Sequence, residues 1–377
     1  MHTYDWTVML FVSSDNGLHP HGEEVLRKIR EVGTSGRVAV VLQLDTAEVG
    51  RPTERHFVND NEILRLGETS NGDPQTVLEF VGAATRRYPS KKQALIFWDH
   101  ANGWQDHATL QERRNAPSRR SPSRRIMGHD DHPYDDLSIE EMRWLAEQLP
   151  RMLGKPLDVI GFDACLMSMV EVAYQFRGST PVIVASQEVL PAQPGWPYDA
   201  ILRRLLACPT MSGEELAADI VAAFREAYRG RDAQVTLAAV ALDGVSSLLD
   251  PLSALSLALL DVFGREGRKR IDLARGYAQT FRSTAGFIDL HHFCDQVVRQ
   301  FGDEPVGQAA RSVLSVNGVV KTSTATAGMD VGHANGLSIT FPMTPIPLRY
   351  STLDFSSHCR WVNFLHAYSG LLTEPPQ

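Results

Sequence analysis

Five short, continuous apolar runs recur along the first half of the chain, and a stretch of helical periodicity follows each. The runs are 6–12 (WTVMLFV), 38–44 (VAVVLQL), 93–98 (QALIFW), 157–162 (LDVIGF) and 181–185 (PVIVA). Runs of this length without polar alternation are strands buried on both faces, which is the situation of a parallel sheet covered by helices. The intervening segments 21–32, 75–87, 138–149 and 168–177 carry apolar residues at helical spacing. The pattern therefore predicts an α/β fold, an α/β/α sandwich with a mainly parallel central sheet and right-handed crossovers. A helix over 212–228, opened by Ser212, and a strand over 235–242 that rejoins the sheet extend it. Beyond lie a helical region from 246 to about 300, a strand at 336–341 and a closing helix at 358–369. The expected organisation is a core over 1–245 and a smaller C-terminal α+β subdomain over 246–377 packed on it.

Composition narrows the function. A 377-residue chain that is 43% hydrophobic and 22% charged has the make-up of a globular protein. With 37 Lys and Arg against 45 Asp and Glu, the net charge of -8 offers no basic surplus for a phosphate backbone, so nucleic acid is not an expected partner. The cysteines, Cys165, Cys208, Cys294 and Cys359, are widely spaced, which argues against a disulfide scaffold or a thiolate zinc site. The run TVMLFV has no basic segment before it and no stretch approaches the length of a membrane span. The sequence thus reads as cytoplasmic, with no membrane partner.

In an open parallel sheet, reactive groups collect beyond the carboxyl ends of the strands. There the sequence places Asp99 and His100 after the third run, Asp163 to Met167 after the fourth, and Ser186 to Glu188 after the fifth. A histidine and a cysteine at the ends of two such strands supply what thiol catalysis needs, a nucleophile and a proton acceptor. Singly, Cys165 also reads as a small buried hydrophobe and His100 as a structural side chain. Cys208, Cys294 and Cys359 read as packing residues. Glu188 is a candidate second acid beside the site or a solvated loop carboxylate, and Ser186 a neighbouring substrate contact.

The segment 105–136 is long and polar, with Arg113-Arg114, Arg119-Arg120 and Arg124-Arg125, and reads as a flexible functional insertion or a solvated loop. Its end carries His129, Asp130, Asp131, His132, Asp135 and Asp136. Such an oxygen-rich cluster suits calcium, although the spacing fits no EF-hand loop and equally suits a helix N-terminus. No metal ligand set is assigned, no cofactor is required, and calcium stays open.

Two motifs, His100-Ala101-Asn102-Gly103-Trp104 and Asp163-Ala164-Cys165-Leu166-Met167 with Glu171 following, resemble those of the clostripain-like cysteine peptidases, which have a caspase- and gingipain-like fold. Further likeness runs through 185–202, 288–293, 335–342 and 361–365. The resemblance implies that Cys165 is the nucleophile and His100 its acid/base partner. It implies that Asp163 selects Arg, or Arg and Lys, before the cut; a carboxylate two residues before the nucleophile lies on its side of a strand and takes a guanidinium bidentately. The alternative for Asp163 is a cap of backbone amides. Backbone N–H groups of Ala101 and Cys165 would hold the oxyanion, and Ala101 stands where the family usually has glycine, which raises the question of a required positive φ. Family members resemble this chain in a processing loop, so self-cleavage after an arginine of 105–136 is expected. Protein or peptide substrates follow from the same likeness, and a protease held in the cytoplasm implies control, for which an activating small molecule or protein is the expectation. The competing reading is a catalytically weak ligand-binding or sensor module.

Overall fold

The computed structural model describes residues 2–48, 51–105, 127–131, 134–281, 286–326 and 331–370, without the side chains of 128–131, 134 and 265. The N-terminal half runs β1 (Tyr4–Ser14), α1 (His19–Val32), β2 (Val38–Thr46), β3 (Glu54–Phe57), β4 (Glu62–Arg65), α2 (Pro74–Arg87) and β5 (Ser90–Trp98). Then come β6 (Met127–Asp131), β7 (Tyr134–Leu137), α3 (Ile139–Leu153), β8 (Val159–Asp163), α4 (Val170–Gln175), β9 (Val182–Ala185), α5 (Tyr198–Ala207), α6 (Gly213–Ala227) and β10 (Thr236–Ala241). The remainder is α7 (Leu242–Ser247), α8 (Leu249–Asp261), α9 (Arg265–Tyr277), β11 (Thr280–Phe281), β12 (Phe287–Asp289), α10 (Leu290–Phe301), α11 (Pro305–Leu314), β13 (Val320–Ala325), β14 (Ser338–Thr340), α12 (Asp354–His358) and α13 (Trp361–Gly370).

Among the described residues nine strands form the main sheet in the order β13-β10-β9-β8-β5-β1-β2-β3-β4. The five central strands, β9 to β2, pair in parallel, and both edges are closed by antiparallel partners. The expected α/β/α sandwich is what the chain forms. Strand alternation divides the apolar runs between two layers: Met9, Phe11, Leu95, Phe97, Ile160 and Phe162 face one, with α2 and α3. Val8, Leu10, Val12, Ile96 and Val159 face the other, with α1, α5 and α6. Local chemistry starts the helices where the spacing predicts. Asp73 accepts the Gln75 N–H ahead of Pro74, and Ser138 and Ser212 open α3 and α6 with reciprocal capping boxes.

The C-terminal segment behaves in two ways. It builds its own three-stranded sheet, β11-β12-β14, yet β13 joins the edge of the main sheet. One apolar layer runs without a break from Met9 to Tyr368, and the division expected at 245 falls within α7. The β3-β4 hairpin, the β6-β7 hairpin and β13 are not foreseen from the periodicity. β3, β4 and β13 lie toward the edges of the main sheet and β6-β7 forms a two-stranded sheet of its own, places where a short strand need not be apolar throughout.

Candidate active site

The register of β5 against β8 pairs Ala94 with Val159 and, at the far end, Trp98 with Asp163. The Asp99 N–H reaches the Asp163 carbonyl at 3.4 Å, so the two chains leave the sheet together. His100 and Cys165 each stand two residues past that last pair, on neighbouring loops at one level of the sheet. The histidine loop is pinned from below by the buried Asp99, whose Oδ1 accepts the His100 N–H at 2.6 Å and the Asn16 side-chain amide at 3.3 Å. Asn16 in turn donates to the Ser13 carbonyl and accepts the Leu18 N–H, which ties the loop to the end of β1.

Cys165 is half-buried, and the Leu190 N–H donates to its sulfur at 3.3 Å. Leu166, immediately after it, is fully buried with φ at 61°. A leucine in the left-handed region stores about 1–3 kcal/mol of strain, and such outliers concentrate where a side chain must be aimed. Across from it Gly103 has φ at 63°, and a β-carbon there would lie 2.5 Å from Met169 Sδ and 3.1 Å from the Leu166 carbonyl. Glycine at 103 is thus what lets the histidine and cysteine loops touch. Ala101 is buried and is not among the described residues with positive φ. The left-handed turn falls at Gly103, so alanine at 101 keeps its N–H without strain.

A buried clamp holds these loops from behind. The Trp104 indole donates to Thr340 Oγ1 at 2.6 Å, while Glu171 Oε1 accepts both the Thr340 N–H and the Tyr350 hydroxyl at 2.8 Å. Burial pushes the Glu171 carboxyl up, against the pull of those bonds. Ser168 bonds Gly336 and accepts from Ser338, so β14 docks directly on the segment following the nucleophile candidate.

Asp163 is 6% exposed. Its Oδ2 accepts the Tyr198 hydroxyl at 2.8 Å and the Trp196 N–H at 3.3 Å. Burial raises its carboxyl from an ordinary 3.8 to about 7, more than the two bonds and the Lys28 charge lower it. The expectation that strand alternation sets Asp163 and Cys165 on one side is corrected here. The strand β8 ends at Asp163, so the turn, and not the pleat, directs Cys165.

The loop after β9 also differs from expectation. Ser186 was expected at the substrate, but it is fully buried, and its hydroxyl donates to the Glu188 carbonyl at 2.8 Å and meets Thr236 Oγ1 at 2.9 Å. It shapes the loop from inside. Glu188 is half-buried and its Oε1 accepts the next residue's N–H, that of Val189, at 2.7 Å. Cys208 is exposed, whereas Cys294 and Cys359 are buried and burial pushes both thiols up, that of Cys359 to about 11.

Arg113, Arg114, Arg119, Arg120, Arg124 and Arg125 lie outside the described residues, as do His132 and the side chains of His129, Asp130 and Asp131. Asp135 accepts the Ser70 hydroxyl at 2.9 Å and the Asp136 N–H at 3.0 Å. Among the described residues no group of three or more His, Cys, Asp or Glu is arranged to hold a metal ion. Tyr198 and Trp196 were missed as partners of Asp163, although the aromatic run GWPY is visible in the sequence. The strain at Leu166 has no sequence signal.

Comparison with known proteins bears on this arrangement. The model of the clostripain family matches residues 11–335. Clostripain of Hathewaya histolytica is 30% identical over 158 residues, which make up 39% of this chain and 28% of that protein, so the match spans well under two thirds of the relative's length. Among solved structures, a secreted cysteine protease of Bacteroides thetaiotaomicron, in complex with an irreversible peptide inhibitor, shares the fold with a TM-score of 0.68 at 16% identity. That match covers 95% of this chain and 99% of the other. An inactive zymogen protease of Parabacteroides distasonis superposes with a TM-score of 0.65 at 19% identity, over 94% and 98% of the two chains.

Proposed function

Because the chain belongs to the clostripain family of cysteine peptidases, we propose that it is an endopeptidase that cuts peptide bonds after arginine or lysine. Cys165 is the nucleophile and His100 its acid/base partner. The observation that carries this reading is the register of β5 on β8, which sets both residues at one level beyond adjacent strand ends. His100 takes the Cys165 thiol proton, the thiolate attacks the scissile carbonyl carbon, and the N–H groups of Ala101 and Cys165 receive the oxyanion. His100 then gives its proton to the departing amine. Water, deprotonated by His100, hydrolyses the thioester and frees the thiol.

Asp163 supplies the charge for a basic side chain, and the raised carboxyl supports that role, since an acid held near neutrality ionises when a cation enters its pocket. The dyad needs no metal, so cleavage is expected to survive a chelator, and its loss would assign calcium as activator. The deciding experiment is a peptide-library digest by the wild type, Cys165→Ala and His100→Ala. Both variants should lose at least about 10³-fold in turnover while keeping the wild-type circular dichroism. Retention of a tenth of the wild-type rate by Cys165→Ala would end this reading, and cleavage after acidic residues would end the assignment of Asp163.

A further inference from the structure

On the face of the sheet covered by α2 and α3, away from the strand ends just described, Arg55 is a buried arginine that opens onto a groove. It is 6% exposed, and among the described residues its guanidinium bonds the neutral Gln43 Oε1, at 3.1 Å from Nε and 2.7 Å from Nη2. The Phe80 ring lies 5.6 Å away, and Glu79 acts on the guanidinium through space, with no ion pair to it among the described residues. A buried cation without an anionic partner is costly, and proteins ordinarily pair it. Arg275, equally buried, also bonds a neutral acceptor, the Phe341 carbonyl, whereas the more exposed Arg87, Arg143, Arg204 and Arg270 meet carboxylates.

Arg55 lines a cavity of about 670 Å³ together with Arg86 and Arg151. Among the described residues neither of these two exposed arginines has a carboxylate or hydrogen-bond partner. The missing side chain at Gly82 makes room for the Arg86 head, whose Nη1 lies 3.0 Å from where a β-carbon would sit. Gln75 and Gln148 add amides to the rim, and Glu79 is the one acid on it, leaving a local charge of three positive against one negative. Leu78, Ala83 and Met152 give the same cavity an apolar wall.

We infer that this cavity, between β3, α2 and α3, is a binding site for a small organic phosphate. Three guanidinium forks fit the oxygens of a di- or triphosphate, each able to take two at once. The apolar side of this open groove then takes the organic part. A bound phosphate would add to the through-space counter-charge of Glu79, which faces three guanidinium groups alone.

The test is calorimetric titration of the full-length protein with ATP, with inorganic pyrophosphate and with citrate, at physiological salt. ATP is expected to bind saturably at one site and more tightly than pyrophosphate, because only ATP engages the wall of Leu78, Ala83 and Met152. The surface variants Arg86→Ala and Arg151→Ala are expected to weaken ATP about tenfold each, and the double variant to abolish binding, with unliganded melting temperature and peptide cleavage unchanged. Arg55→Gln is a further variant, and the double variant keeps the test decisive if Arg55→Gln fails to fold. Absence of ATP binding up to about 1 mM, equal binding by the double variant, or equal affinity for citrate would each overturn the assignment.

Discussion

Asp163 carries two consequences of one fact, its desolvation against Tyr198 and Trp196. Burial raises the carboxyl to about 7, so it holds its proton below that pH and gives it up above. A basic side chain needs the ionised form, so kcat/KM for an arginine substrate should rise with pH through about 7. Dividing by kcat/KM for a substrate with norleucine in the same position cancels the titration of the catalytic dyad, and Asp163→Asn should flatten the ratio. A ratio independent of pH in the wild type would remove Asp163 from the pocket. The second consequence concerns stability. A folded value raised above the ordinary 3.8 means that the native state binds the extra proton between 3.8 and about 7. The contribution of this group is therefore fully present below 3.8 and lost as pH rises through 7. Asp163→Asn, which keeps an acceptor for Tyr198 without a buried charge, should be more stable than wild type above pH 7, by on the order of 2–4 kcal/mol, and the gain should fade toward pH 4. Urea unfolding at both pH values reads it. Ala101 gives a smaller test. Since the left-handed turn is at Gly103, Ala101→Gly should leave kcat/KM within about twofold and cost roughly 0.5–1 kcal/mol through added chain entropy; a large gain in activity would mean that the loop needs glycine after all.

The elements that hold the site come from opposite ends of the chain. Trp104 follows β5, Glu171 opens α4, Thr340 ends β14 and Tyr350 lies before α12, and their bonds converge in one buried cluster. Tyr350→Phe removes one donor from a buried carboxylate oxygen that keeps its other bond, from Thr340. A loss of about 1–2 kcal/mol in urea unfolding is expected, the scale of one buried bond to a group of this kind. No loss would mean that water replaces the hydroxyl. This convergence also marks what sequence could and could not disclose. The five parallel strands were legible because each is apolar throughout, and the strand-end rule led from them to His100 and Cys165. The hairpin β3-β4 was not, because Glu54, Arg55 and His56 are buried polar residues in a row, Glu54 beside His56 and Arg55 on Gln43 of the neighbouring strand, instead of alternating with apolar ones. Nor was the pairing of β13 with β10, whose partners Val240 and Val320 stand 80 residues apart in the chain with a bulge between Ala239 and Val240, since VKTSTA looks like a loop until a partner strand is known. Ser186 misled for a related reason: position after a strand says that a hydroxyl is near the site, whereas its direction is set by Thr236 on β10.

At the scale of the whole molecule, the sheet order decides what self-cleavage would do. Residues 106–126 join β5 to the β6-β7 hairpin that precedes α3 and β8, and the arginine pairs proposed as cutting sites lie in that interval, outside the described residues. A cut there divides the chain into a fragment carrying β1 to β5 and one carrying everything after. In the sheet those fragments are not separate halves laid side by side, because β5 of the first pairs with β8 of the second from Ala94 to Trp98. Both also contribute to one continuous apolar layer, Phe97 stacking on Phe162 at 5.7 Å. An interface built like a domain interior does not dissociate when one connection is severed, and loss of that connection costs only the entropy of a loop closure. Active wild-type protein should therefore show two fragments on a denaturing gel, split after an arginine of 105–136 by mass spectrometry, yet elute as one body of unchanged mass on native size exclusion. Cys165→Ala should give one intact band. Clipping of both proteins alike would assign the cut to another protease, an active wild type that stays whole would refute self-processing, and fragments that separate on the native column would contradict the shared sheet itself.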